Sequence, residues 1–106
     1  MSETVFLQKI GDSPQTRILD FLLTFRDFDY SPTDIAKEAD VSFVTAKKVI
    51  ENLNKQDVLK KTRKVGRATL YKLNEESEFV KSLKKLYDNL INETLELHKQ
   101  KIVSIH

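Results

Sequence analysis

The stretch from Lys60 to Leu73, KKTRKVGRATLYKL, constrains this chain more than any other. It reads as two short strands that meet at Val65-Gly66-Arg67, because glycine permits the tight turn that joins antiparallel strands. Five cations, Lys60, Lys61, Arg63, Lys64 and Arg67, gather before and at that turn. Directly upstream lies the pattern of two helices separated by a tight turn. A helix pair followed by a basic hairpin restricts the fold to a small set of α+β arrangements.

Net charge over the 106 residues is only +2, but its distribution is uneven. From Phe43 to Lys72 there are nine cations against two anions, a local net charge of +7, so the remaining residues carry −5. One strongly basic region within an acidic body is the electrostatic footprint expected of a protein that meets a polyanion.

The rest of the chain reads as helices. Val5, Phe6 and Ile10 make one face of a short segment that fits a helix stopped by Gly11, although alternation also permits a strand. Ser13 can cap and Pro14 can open a helix in which Ile18, Leu19, Leu22, Leu23 and Phe25 recur at helical spacing to about Arg26. Arg26 to Asp29 reads as a loop, and Tyr30-Ser31 as a minimal strand beside the hairpin. Ser31 or Thr33 caps the next helix, with Pro32 at its first position and Asp34 at the positive end of its dipole. Ile35, Ala36 and Ala39 face inward, and Asp40 can take the left-handed conformation that ends the helix. Val41 plugs the turn, and Ser42 caps the second helix of the pair. That helix, from Phe43 to about Gln56, buries Ala46, Ile50 and Leu53, with Val49 at the edge. The strands are expected over about 58–64 and 68–73.

That arrangement points the opposite face of the 43–56 helix outward. The N-terminal end of such a helix is the part that meets base edges in a major groove. Lys47 and Lys48 can reach a guanine edge or a phosphate, and Phe43, Val44 and Thr45 can contact thymine methyl groups beside the Ser42 cap. In the hairpin, Arg67 can enter a minor groove, while Lys61, Arg63 and Lys64 suit phosphates. The expected site is therefore Ser42, Phe43, Val44, Thr45, Lys47, Lys48, Lys61, Arg63, Lys64 and Arg67, and the expected partner is double-stranded DNA.

The run Pro32–Leu59 resembles the helix-turn-helix of winged-helix transcriptional regulators of the MarR, ArsR and TrmB kind. Ile35-Ala36, Val41-Ser42, Ile50, Leu53 and Val58-Leu59 fall in step with that pattern. Val65-Gly66-Arg67, continued by Leu70-Tyr71-Lys72-Leu73-Asn74, resembles the ending of many archaeal members. Asp57 and Asp40 replace glycines frequent in those families, and both tolerate the conformation concerned. The resemblance implies a mostly helical α+β fold, a winged helix-turn-helix with a two- to three-stranded antiparallel wing, and a sequence-specific regulator that acts as a homodimer. The corresponding domain reading is an N-terminal extension over 1–12, a DNA-binding domain over 13–74 and a dimerisation helix over 75–106.

The final segment supports the last point. Phe79, Leu83, Leu86, Leu90 and Leu97 form a heptad seam broken at Glu93. Phe79, Val80 and Leu83 are expected to pack on the chain's own domain, and Leu90, Ile91, Leu95 and Leu97 to meet a partner. The dimer residues expected are Leu83, Leu86, Leu90, Ile91 and Leu97.

Other functions find little support. The chain has no cysteine, so disulfides and thiolate metal sites are excluded, and a reducing cytoplasmic setting is the compatible one. There is no signal peptide pattern and no apolar run near the ~20 residues of a membrane span, so no membrane partner is expected. His98 and His106 lack a supporting metal or nucleophile pattern, with His98 read as a helix-surface residue and His106 as a frayed end. Asp27 and Asp29 read as solvated loop residues, and there is no phosphate-binding glycine loop. No enzyme activity, metal, cofactor or small-molecule ligand is expected. The two other readings are an architectural or partition-type DNA binder that spreads on the duplex, and a winged-helix protein-interaction module.

Overall fold

Hydroxyl caps set most of the helix starts in the computed structural model, which describes residues 4–104, with side chains described over 4–97. Expectations for residues 1–3, for the His98 side chain and for His106 lie outside the described residues. Helix α1, Val5–Ile10, is capped by Thr4 and stopped by Gly11 at φ 106°. Helix α2, Pro14–Thr24, opens on a capping box in which Ser13 and Thr16 satisfy each other's backbone amides. Helix α3, Pro32–Ala39, starts on Ser31 and ends on Asp40, which sits in the left-handed region at φ 57°. Helix α4, Phe43–Lys55, starts on Ser42. Strands β1, Leu59–Val65, and β2, Ala68–Leu73, pair antiparallel, and helix α5 runs over Glu78–Ser104.

The helix-turn-helix is set by a few atoms. Asp40 and Val41 return their amides to the Lys37 and Ala36 carbonyls, closing α3. Arg17 on α2 donates through Nη1 to the Asp40 carbonyl at 3.1 Å, which ties the turn to the helix beneath it. Ile35, Ala36 and Ala39 of α3 and Ala46, Ile50 and Leu53 of α4 are buried against Ile18, Leu22 and Leu23 of α2.

Side-chain amides and one bridge fasten the hairpin. Asp57 takes φ 61°, a left-handed conformation that favours glycine and that aspartate tolerates. Asn54 donates to the Leu59 carbonyl and Asn74 to the Asp57 carbonyl, each at 3.0 Å. Tyr30 bridges Tyr71 with two backbone hydrogen bonds of 2.9 and 2.8 Å, adding the minimal third strand. The ladder shifts register between Lys61 and Arg63, leaving Thr62 as a bulge. Bulges re-aim side chains, and beyond this one β1 is exposed on both faces.

Three expectations change. In α1 the buried pair is Phe6 and Leu7, while Ile10 is exposed, so the short helix joins the core through adjacent residues. Phe25 lies past the end of α2 and is exposed. Most consequentially, α5 turns Val80, Tyr87 and Leu90 toward the chain's own core, with Leu83 and Ile91 packed at its edge. The Tyr87 ring packs tilted against Phe6 with centroids 5.7 Å apart, shares a hydrogen bond with Thr24, and lies under the Arg26 guanidinium. Arg26 also reaches Asp88 at 2.8 Å. Leu90, expected to face a partner, is 8% exposed because it joins the chain's own core, while Phe79, expected to pack inward, is 58% exposed. No helix among the described residues is long and apolar enough to cross a membrane.

Candidate nucleic-acid interface

The basic surface is built from α4 and the hairpin. Ser42 is exposed, and its hydroxyl accepts from the Thr45 amide at 3.2 Å while donating to Thr45 Oγ1 at 2.9 Å. Thr45 is thus held half-buried at the helix start, with its hydroxyl engaged. Phe43 and Val44, one and two positions past the cap, are exposed at 49% and 64%. Exposed large apolar groups at adjacent positions are costly in water unless something covers them.

Further along α4, burial of Ala46, Ile50 and Leu53 forces the other side of the helix outward. Lys47, Lys48, Glu51 and Lys55 are all exposed. Lys55 is not among the residues expected at the site from the sequence. It lies seven positions after Lys48, two helical turns away on the same face.

On the hairpin, Gly66 takes φ 62° at the first of two loop residues, as a type II′ turn requires, and Arg67 comes next at the tip. Lys60, Lys61, Lys64 and Arg67 are exposed, and Val65 is exposed beside them. Among the described residues, Lys47, Lys48, Lys61, Lys64 and Arg67 make no ion pair within the chain. Their charges are therefore not neutralised internally.

Arg63 differs. Its Nε and Nη2 donate to the two carboxylate oxygens of Asp29 at 3.0 and 3.2 Å. Thr62, the bulge residue, also donates its hydroxyl to Asp29. These hydrogen bonds hold the Asp29 carboxyl at about 2, well below its ordinary value, and raise Arg63 further. Arg63, expected to grip phosphate, is instead engaged within the chain, and Asp29 has a structural partner rather than a solvated role. The pair is distant in sequence, so no local pattern announces it.

Helix α5 presents an exposed apolar stripe of its own. Phe79, Leu86 and Leu97 are exposed at 58%, 40% and 58%, displaced around the helix from the Val80–Tyr87 face. Leu95 is exposed on a different side. Among the described residues no group of three or more His, Cys, Asp or Glu is placed to hold a metal ion.

A family described as being of unknown function, DUF7342, matches residues 24–104. No curated protein matches the chain. Solved structures do. The adhesin competence repressor AdcR from Streptococcus pyogenes aligns with a TM-score of 0.64 at 23% identity, covering 95% of this chain and 75% of that one. MepR, a transcription regulator of the Staphylococcus aureus multidrug efflux pump MepA, aligns at 0.58 and 17% identity, covering 92% and 82%. ZitR from Lactococcus lactis, a zinc-responsive MarR family member, aligns at 0.58 and 22% identity, and the alignment covers 83% of this chain but only 58% of ZitR. These likenesses establish the winged helix-turn-helix fold.

Proposed function

The chain belongs to the DUF7342 family, whose function is unknown, and from that premise we propose that it is a sequence-specific double-stranded DNA-binding protein acting as a dimeric transcriptional regulator. The observation that carries this reading is the joint exposure of internally unpaired cations on two adjoining elements, Lys47 and Lys48 on α4 and Lys61, Lys64 and Arg67 on the wing. Two elements of that shape match two features of a duplex, a helix for the major groove and a hairpin for the backbone and minor groove.

The division of labour rests on chemistry. Lys61 and Lys64 are point charges on flexible stems, suited to phosphates, where they add affinity and salt dependence with little base discrimination. Arg67 at the turn suits a narrow minor groove. Base preference belongs to the start of α4, where Phe43 and Val44 offer apolar contact to thymine methyls and Lys47 and Lys48 offer donors to guanine. The neighbouring structures that bear names are a repressor and transcription regulators, which supports the regulatory reading.

Pairing is assigned to the outer stripe of α5. Phe79, Leu86 and Leu97 are apolar residues on that helix left uncovered by the chain's own core, and a second copy would cover them. Two-fold pairing would set two recognition helices about one DNA turn apart, roughly 34 Å, and so require a near-palindromic site. Selection of duplexes from a random pool tests the reading. Enrichment of an inverted repeat supports it, and recovery of the unselected pool contradicts it.

A further inference from the structure

A cleft of about 320 Å³ opens between α1, α2 and the end of α3. Its volume lies within the range of small-ligand sites. Leu7 and Phe21 form its apolar wall, and Phe25 stands at its edge. Asp20, in the middle of α2, also lines it. This residue is 9% exposed, and its Oδ1 is buried with no hydrogen-bond donor among the described residues. A buried carboxylate oxygen without a donor is expensive, so its retention inside a cleft calls for an explanation.

The surroundings select the sign of a partner. Among the described residues, Asp12, Glu38 and Asp40 share the lining with Asp20, against one cation, Arg17. Arg17 is committed elsewhere, through Nε and Nη2 to Asp12 at 2.6 and 3.0 Å and through Nη1 to the Asp40 carbonyl. The cleft is therefore net negative, with apolar walls. The absence of a three-residue metal-ligating group among the described residues argues against a bare metal ion.

We propose that this cleft binds a small organic cation, an ammonium group on an apolar or aromatic body, with Asp20 as its counter-charge. The ammonium supplies the donor that Oδ1 lacks, and the body lies against Leu7 and Phe21, where an aromatic ring also favours a cation. Burial pushes the Asp20 carboxyl up, opposed by the Thr4 hydroxyl, and a bound ammonium would favour its ionised form. The site stands independently of DNA binding, although Arg17 links its rim to the turn between α3 and α4.

The test is an NMR titration of the native full-length chain with phenethylammonium, cyclohexylammonium and benzylammonium chlorides, each set against its neutral alcohol analogue. The expected result is saturable shifts at Thr4, Asp20 and Phe21, with at least one ammonium binding about tenfold or more tightly than its alcohol, as a charge-assisted hydrogen bond provides. Asp20→Asn, confirmed folded by its spectrum, should abolish that preference. Equal binding of ammonium and alcohol, retained preference in the variant, or no saturable shift from any of the three ammonium ions overturns the proposal. The comparison on the native chain decides the matter even if the variant does not fold.

Discussion

Asp29 receives Nε and Nη2 of Arg63 at 3.0 and 3.2 Å, and in doing so fastens the basic hairpin to the loop after α2. The contact engages one cation of the hairpin within the chain and ties β1 to that loop. Replacing Asp29 with Asn should release Arg63 to compete for phosphate. Affinity for duplex should rise at low salt, and the slope of log affinity against log salt should steepen by about 0.9, one extra phosphate contact. An unchanged slope would mean that Arg63 stays off the backbone even when freed.

The same pair has a defined acid dependence. Because folding lowers the Asp29 carboxyl from 3.8 to about 2, the ionised form is the one the fold favours. Its contribution is complete above the ordinary carboxylate value and is lost as pH falls through about 2. Amide shifts of Thr62 and Arg63 should therefore titrate near pH 2 and stay flat at neutral pH.

Asp20 has the opposite sign. Burial raises its carboxyl, so the fold favours the neutral form, and that stability is present below the ordinary value and lost as pH rises through the raised one. Asp20→Asn should raise the melting temperature at pH 7 more than at pH 3. An equal effect at both values would remove burial of charge as the cause.

The α5 residues separate self-packing from pairing. Leu90→Glu should destabilise the single chain by about 2–5 kcal/mol, since it places an acid in a filled core beside Tyr87. Leu86→Glu, on the exposed stripe, should leave melting of the single chain nearly unchanged and yield monomers by light scattering. A Leu86→Glu protein that remains dimeric would move the interface off this stripe.

The sequence pattern exposes some of these relations and conceals others, for identifiable reasons. Ser31, Asp40, Ser42 and Gly66 are readable because caps and left-handed positions depend on residue type and immediate neighbours. The burial of Ala46, Ile50 and Leu53 is readable from period alone, and it carries Lys47 and Lys48 outward. Leu90 is not, because a heptad seam does not say whether the covering surface belongs to the same chain. Phe6, Thr24 and Tyr87 decide that question, and they come from three distant segments. Arg63 reads as a phosphate contact for the same reason, since its acidic partner lies in a loop 34 residues earlier. Local chemistry is legible in the sequence, and long-range partners are not.

Substitutions of Lys47 and Arg67 should distinguish reading from gripping. Lys47→Ala should change which sequences are preferred as well as how tightly they bind, by about 1–3 kcal/mol at the affected base pair. Arg67→Ala should weaken binding evenly or mainly at A-T tracts and reduce the salt slope by about one. A uniform loss for Lys47→Ala would reassign that residue to the backbone.

On the proposed function, α4 and the wing together form one sequence-reading DNA surface, repeated by two-fold pairing. Selection from a random duplex pool, with footprinting of the enriched sequences, tests it most directly. The expected result is an enriched inverted repeat with half-sites about 10 base pairs apart, protected as one bounded footprint. Failure to enrich any sequence, or protection that spreads without a boundary along the duplex, would contradict it.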